Sequence, residues 1–323
     1  MAGDSGEEAF RALVEAHRGE LHGHCYRMLG SLHDADDALQ DTLLRAWRGL
    51  PRFRGSSSLR TWLYRIATNV CVDMINRRAK RVLPVDYAAP PAEATAPWIE
   101  PYPDAELGVA DGAACPAARY ERREALELAF VSALQHLPPR QRAALVLRDA
   151  LGFTAKESAE ALGTTVPAVN GALRRARAVI EERLPEHSQQ AALRALGDRR
   201  LSELVGRFAD SFERGDVDGV LAMLAEGATF SMPPHPEWCQ GREAIAKSWL
   251  MPEGPPPRLR YVMTTANGQP ALATYVLDRE RGGFVALALD VLALRGEEVM
   301  AVTAFRTPAI FARFGLPGRL ALS

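Results

Sequence analysis

Cysteine is scarce: four in 323 residues, with Cys25, Cys71, Cys115 and Cys239 standing far apart. That scatter excludes a disulfide framework and a paired-cysteine metal site, and it fits a reducing compartment. Long hydrophobic runs are missing as well, so no helical membrane span is expected. The acidic start lacks the basic-then-apolar pattern of a secretion signal, and the expected location is cytoplasmic. Net charge is only −1, too little to hold a polyanion unaided, so the distribution of charge matters more than its sum. His22, His24 and Cys25 form a group of ligand-type side chains. On a helix they do not converge on one face, and no second cluster supports them. Neither a metal nor a cofactor is expected.

What the chain does have is apolar material for two or three globular domains, 47% hydrophobic against 24% charged residues. The most informative stretch is 34–81, which reads as two helices joined by an Arg/Gly/Ser-rich loop. In the first, Ala38, Leu39, Thr42, Leu43, Ala46, Trp47 and Leu50 recur at three- and four-residue steps, and Trp47 is read as core. Asp34, Asp36, Asp37 and Asp41 crowd its early turns, where the helix dipole favours negative charge. Pro51 and Gly55 break the pattern, and Ser56, Ser57 and Ser58 are candidate caps for a second helix from Leu59 to Arg78. Its inward side is read as Leu59, Trp62, Leu63, Ile66, Val70 and Ile75. Arg60, Thr61, Tyr64, Arg65, Asn69 and Asp73 are expected on or beside the opposite face. Aromatic rings interleaved with arginines suit unstacked bases, the ring stacking while the guanidinium meets phosphate. For Trp62 two readings stand, core and base stacking.

With HCYRMLGSLHDADDALQDTLLRAW at its front, residues 8–81 resemble region two of the extracytoplasmic-function (ECF) sigma factors of bacterial RNA polymerase. The resemblance implies that the first helix docks on the polymerase clamp, through Leu39, Gln40, Asp41, Leu44, Arg45 and Arg48. It implies that the second melts and reads the minus-ten element, through Arg54, Ser57, Arg60, Thr61, Trp62, Tyr64, Arg65 and Asn69. The opening helix, with Phe10, Leu13, Val14, His17, Leu21, Cys25 and Met28 at helical spacing, completes that bundle.

Residues 82–118 are rich in proline, alanine and acid, and by composition form a linker. Residues 81–120 hold two arginines against six acids. In sigma factors such a linker runs toward the active centre and RNA exit path, where acids could mimic RNA phosphates. Trp98, Ile99, Tyr102 and Leu107 equally suit packing back on the protein itself.

Helical grammar returns at 119–184. Glu124 to Leu137 form one amphipathic helix, and Pro138–Pro139 open the next. Thr154 with Glu157 is a capping box, and Gly163 sits where a tight turn needs a left-handed residue. Thr165 caps the following helix, which tolerates Pro167 in its first turn. Val166, Val169, Leu173, Ala176 and Ile180 are expected inward, leaving Thr165, Ala168, Asn170, Gly171, Arg174, Arg175 and Arg177 outside. This is a helix-turn-helix. Ala168 and Gly171 permit close approach to base edges, Asn170 and Arg174 are types that make bidentate base contacts, and Arg175 and Arg177 suit phosphates. The segment resembles region four of the same family, which reads the minus-thirty-five element.

Beyond a polar connector at 185–197 the pattern is helices, then strands: helices over 201–215, 217–224 and 242–250, a strand at ATFSMPP, then a meander with Asn267-Gly268 as a hairpin turn. Residues 198–310 resemble the SnoaL-like domain, a cone of curved sheet around an apolar pocket, leaving 311–323 as a tail. The candidate pocket is Phe230, Met232, Trp238, Tyr275 and Asp290. Phe284, Ala286, Ala288, Asp290 and Leu292 alternate onto one side. Asp290 there reads either as a base with raised pKa or as a hydrogen-bond partner of Tyr275 or Trp238. The fold class is therefore multidomain: two all-α helical domains followed by an α+β cone.

The function expected is a sigma factor, not an enzyme, that binds core RNA polymerase and promoter DNA. Intramolecular contact with its third domain, from the sheet's outer side or from Phe305, Phe311 and Phe314, would regulate it, and a small-molecule ligand is possible. The rivals are a stand-alone helix-turn-helix regulator and a pocket enzyme tethered to a DNA-binding module. Near-neutral charge and the aromatic-basic helix speak against the former; turnover by the isolated third domain would reveal the latter.

Overall fold

The computed structural model describes residues 2–55, 57–78, 80–86, 98–107, 124–184, 188–250 and 257–322. They fall into two compact units, one of Met1–Val82 with Asp104–Pro185, the other of Leu83–Pro103 with Glu186–Ser323. Among the described residues no helix is long and apolar enough to cross a membrane.

The first unit begins with α1 (Ala2–Leu29), α2 (Leu32–Gly49) and α3 (Leu59–Ile75). Ser31 caps α2 by accepting the Asp34 amide, and Ser58 caps α3 by accepting that of Thr61. Leu21, Cys25 and Met28 of α1 share the core with Ala38 and Ala46 of α2 and Leu63, Ala67 and Val70 of α3. The buried Thr42 hydroxyl donates to the Ala38 carbonyl at 2.6 Å, so it costs the core no unmet donor. α3 ends three residues earlier than expected. The chain leaves it so that Arg78 and Arg81 reach the buried Asp34 carboxylate. Asp34 is therefore a buried ion-pair acceptor as well as a first-turn acid.

The same unit continues with α4 (Leu128–Gln135), α5 (Pro139–Leu145), a π turn at Val146–Ala150, α6 (Ala155–Leu162) and α7 (Val166–Glu181). α4 is shorter than the 124–137 span expected. The capping box of Thr154 and Glu157 forms in full, and Gly163 takes the left-handed conformation, φ 58°. Val169, Leu173, Ala176 and Ile180 are buried, but Val166, expected inward, is exposed because it sits at the first helical position, ahead of the packed turns. Arg142 fastens this half to α1. It is buried, donates to the Met28 carbonyl, to Gln135 Oε1 at 2.6 Å and to the carbonyls of Gln135 and Leu137 at 3.0 and 3.2 Å. Arg27 Nε adds a bond to the Ala125 carbonyl at 2.9 Å.

The second unit comprises α8 (Gln189–Leu196), α9 (Asp198–Arg214), α10 (Val217–Met223) and α11 (Arg242–Ile245). Its strands are β1 (Leu224–Ser231), β2 (Trp238–Gln240), β3 (Leu259–Ala266), β4 (Gln269–Asp278), β5 (Gly283–Arg295), β6 (Glu298–Phe305) and β7 (Arg319–Ala321). The sheet runs β2-β1-β6-β5-β4-β3, with β7 beside β5. β3 to β6 form the antiparallel meander expected. β1 joins it parallel to β6, covering an edge the meander alone would leave open. One face of α9, with Leu204, Val205 and Phe208, packs on Leu272, Leu292 and Val302 to make the core. Glu213 pins edge strand β3 to α9, accepting the Tyr261 amide at 2.8 Å and Arg260 at 2.6 Å.

Two segments read as connectors are built into this unit. The hairpin turn has Asn267 at φ 56° and Gly268 at φ 68°, as a primed turn requires. Asn267 exchanges two bonds with Tyr102, at 2.8 and 2.9 Å, and Ile99 and Tyr102 are buried. The described end of the acidic linker is thus packed on the protein; 87–97 and 108–123 lie outside the described residues. The 185–197 connector contains α8, whose Gln189 exchanges two bonds with Leu294 and whose Gln190 donates to the Gly268 carbonyl at 2.6 Å. The expected tail is likewise closed onto the sheet, with Phe311 buried and β7 paired with β5.

Candidate nucleic-acid interface

On α2, Gln40, Leu44, Arg45 and Arg48 are exposed, Asp41 is half-buried and Leu39 is buried. Leu39 nonetheless lines a groove of about 700 Å³ between α1 and α2, shared with Phe10, Val14, Leu43, Leu44 and Trp47. Trp47, expected in the core, is 41% exposed and Leu44 49%. The Trp47 ring rests edge-on against Phe10, centroids 5.2 Å apart. Small Ala38, Thr42 and Ala46 fill the seam of α2, so the bulky members of its stripe lie at the rim. Asp41 and Arg45 pair bidentately at 3.1 and 2.7 Å.

The eight minus-ten candidates on and before α3 do not share one open face. Arg54, Arg65 and Asn69 are exposed, Ser57, Arg60 and Trp62 half-buried, Thr61 and Tyr64 buried. Trp62 lies against Phe53, ring centroids 4.9 Å apart, and beside Gly49. Thr61 and Tyr64 were expected outward. The start of α6 covers that side of α3: Phe153 meets the Tyr64 ring at 4.9 Å, and the Arg60 guanidinium lies 4.2 Å over the Phe153 centroid. Arg60 also donates to the Leu151 carbonyl at 3.2 Å and faces Glu20 at 3.6 Å. Burial pushes the Tyr64 hydroxyl's pKa well above its ordinary value. Phe153 was not singled out from sequence. Its one local signal is a hydrophobic residue just before a capping box, which suggests a staple within its own helix, not a contact some ninety residues away.

On α7, Thr165, Ala168, Asn170, Arg174, Arg175 and Arg177 are exposed and Gly171 half-buried. Arg177 is committed to Asp149, at 3.0 and 2.7 Å, and the carboxylate's hydrogen bond raises its pKa further. Asn170, Arg174 and Arg175 stand on the open side of a helix whose other side is packed.

Among the third module's candidates, Asp290 is half-buried, with its carboxylate turned inward. Thr274 Oγ1 donates to its Oδ2 at 2.6 Å, and its Oδ1 has no partner. Burial lifts its pKa to about 7 against the opposing Thr274 bond. Phe230 and Met232 adjoin the α9-covered core, while the buried Trp238 Nε1 is unpartnered. Tyr275 is elsewhere. It follows Thr274 directly and so faces the other side of the sheet, where its ring meets Phe311 at 5.3 Å and its hydroxyl donates to the Pro317 carbonyl at 2.9 Å. A register shift between Thr274 and Tyr275 pairs Ala286 with Tyr275 but Ala288 with Thr274. Phe284 and Ala286 therefore do not share a face with Asp290, as strict alternation had suggested.

The model of sigma-70 region 2 matches residues 13–81, that of sigma-70 region 4 residues 122–180, and that of the SnoaL-like domain residues 205–302. The chain is 42% identical to the ECF RNA polymerase sigma factor SigG of Mycobacterium tuberculosis (strain ATCC 25618 / H37Rv), over 96% of this chain and 85% of that protein. It is 33% identical to the ECF RNA polymerase sigma factor SigE of Mycolicibacterium smegmatis, over 56% of this chain and 63% of that one. The crystal structure of the M. tuberculosis extracytoplasmic-function sigma factor SigJ superposes with a TM-score of 0.60 at 21% identity, covering 95% of this chain and 99% of that one. That last likeness is one of fold. With a capped helix-turn-helix, a preceding three-helix bundle and a relative alike along nearly the whole chain, this protein belongs to the ECF family of RNA polymerase sigma factors and carries a SnoaL-like domain after its region four.

Proposed function

We propose that this chain binds core RNA polymerase through the α1/α2 groove and directs it to promoters, α3 engaging the melted minus-ten strand and α7 the minus-thirty-five duplex. The observation that carries this reading is the pair Leu44 and Trp47, left in the open on a helix whose other side is fully packed. An exposed aromatic beside a leucine and two arginines suits the centre of a protein interface better than solvent. Run-off transcription with core enzyme tests it: promoter-dependent transcripts are expected only when this protein is added.

The contact between α3 and α6 supports a further element of the reading. With Thr61 and Tyr64 buried and Arg60 engaged by Phe153, the strand-binding side of α3 cannot stack bases. The free protein is therefore closed, and polymerase binding separates the two regions. A closed state also accounts for how a chain of charge −1 avoids idle binding to DNA.

For the third module, the buried, unsatisfied Oδ1 of the half-buried Asp290 supports binding of a small ligand with a hydrogen-bonding group, and the module acts as a regulator rather than a catalyst. It is the first unit's work in the cytoplasm that this module adjusts.

A further inference from the structure

We infer that the first turn of α7 reads a thymine, Val166 packing on the C5-methyl group of that base in the minus-thirty-five element. The inference rests on the reading that α7 engages that duplex, and adds an apolar specificity determinant to its polar ones. Thr165, Val166, Pro167 and Ala168 are all exposed. Val166 is 37% exposed, whereas Val169, three residues on, is 1% exposed and packs with Ala144 of α5 and Ala159 of α6. The packed valine sets α7 against its neighbours, and the turn before it is left in the open. Arg177 holds the same edge of the helix further along, through its bidentate pair with Asp149.

The chemistry of this turn selects a base edge over the DNA backbone. A helix N-terminus ordinarily meets phosphate through its free amide N–H groups. In α7, Pro167 has no N–H, and Thr165 Oγ1 accepts that of Ala168 at 3.4 Å. Two of the donors a phosphate needs are thus gone, and Val166, Pro167 and Ala168 present hydrocarbon instead. A recognition helix enters the major groove with its N-terminal residues at the base edges, and the apolar group displayed there is the thymine methyl. The turn is also stiff: proline fixes its own φ, and a helical valine has one dominant rotamer, so little freedom is lost on contact. Val166 precedes Asn170 by four residues, which puts both on one face about 6 Å apart along the axis. Asparagine suits adenine N6 and N7. The thymine therefore lies within about two base-pair steps, of about 3.4 Å each, of an adenine read by Asn170.

Deoxyuridine scanning tests this, with holoenzyme made from core polymerase and the full-length chain. Each thymine of the minus-thirty-five element, on either strand, is replaced singly by deoxyuridine, which removes the methyl group and keeps the base pairing. One replacement is expected to weaken binding roughly three- to fivefold, as loss of one buried methyl group implies. Val166→Ala should weaken binding to the thymine duplex by a similar factor, and on that variant the same deoxyuridine should have no further effect. Val166→Thr, which keeps the shape and sets a hydroxyl against the methyl group, should also weaken binding. Val166 is exposed, so Tm should hold in both variants. A minus-thirty-five preference that is indifferent to every deoxyuridine overturns the inference and leaves the role of α7 standing. So does a deoxyuridine penalty that persists in full in Val166→Ala, or a preferred element with no thymine on either strand. Equal binding to all substituted minus-thirty-five duplexes overturns the reading of α7 itself, and this inference with it.

Discussion

Asp290 is half-buried with an enclosed carboxylate oxygen, and desolvation holds its pKa at about 7 against an ordinary 3.8. Between those values the unfolded chain has released the proton and the folded one keeps it. Stability of the third module therefore falls as pH rises from about 4 to 7 and levels off above. The full difference corresponds to an upper bound of roughly 4 kcal/mol. Asp290→Asn removes the titration, so the opening free energy of β4 and β5, taken from hydrogen exchange corrected for the intrinsic amide rate, should lose its dependence on pH in that window. A slope that survives the substitution assigns it to another group. Residue-level reading of sequence was least secure where packing partners are remote. Tyr64 and Trp47 each changed sides relative to the periodicity, because a helical period defines two faces without saying which one a distant element covers. Phe153, which decides the matter for Tyr64, arrives from the far end of the first unit. Phe153→Ala should cost about 3–5 kcal/mol as a large-to-small change and free the α3 face. Faster hydrogen exchange in α3, together with tighter binding of single-stranded minus-ten DNA, is the expected result. Unchanged strand affinity with loosened α3 would count against the closed state.

At the scale of elements, α2 and α7 are each packed on one side and open on the other. Exchanging charges within the Asp41–Arg45 pair, as Asp41→Arg with Arg45→Asp, keeps an i,i+4 ion pair and little else of the surface. Such pairs contribute only about 0.3–0.5 kcal/mol, so helicity and Tm should hold while binding to core polymerase fails in a pull-down. On α7, Asn170→Ala or Arg174→Ala should each cost roughly 1–3 kcal/mol of duplex binding and relax minus-thirty-five preference. Gel shifts across a panel of substituted minus-thirty-five duplexes read both effects, and a uniform loss over all sequences would reassign those residues to the backbone. Elements were more legible than residues. Thr154, Glu157, Gly163 and Thr165 mark helix ends through bonds made within four residues, and the structure forms each of those bonds.

For the whole molecule, the regulatory reading rests on the third module. Gln189 and Gln190 are bonded into that module, so the cut that spares it falls after Leu184 rather than within α8. Transcription by residues 1–184 is expected to differ clearly from the full chain at equal holoenzyme occupancy. Residues 1–308 lose the buried Ile310, Phe311 whose ring packs on Tyr275, and the β7 pairing with β5. That truncation should unfold the module and behave like 1–184 rather than give a third phenotype. Identical activity from all three chains means the module has no part in initiation.

The sequence by itself determined the order of modules, the helices and their caps, the meander strands and the primed hairpin turn. These depend on interactions between residues a few positions apart, and on periodicities that the backbone imposes. Only the tertiary structure decided that α6 covers the strand-binding side of α3, that β1 completes the sheet in parallel, and that the linker's Ile99 and Tyr102, the connector and the tail pack within the second unit. A register shift between Thr274 and Tyr275 likewise moved Tyr275 and Ala286 away from Asp290. Such outcomes turn on pairings between residues tens of positions apart, chosen by the burial and hydrogen bonding of the whole unit. No local pattern records them.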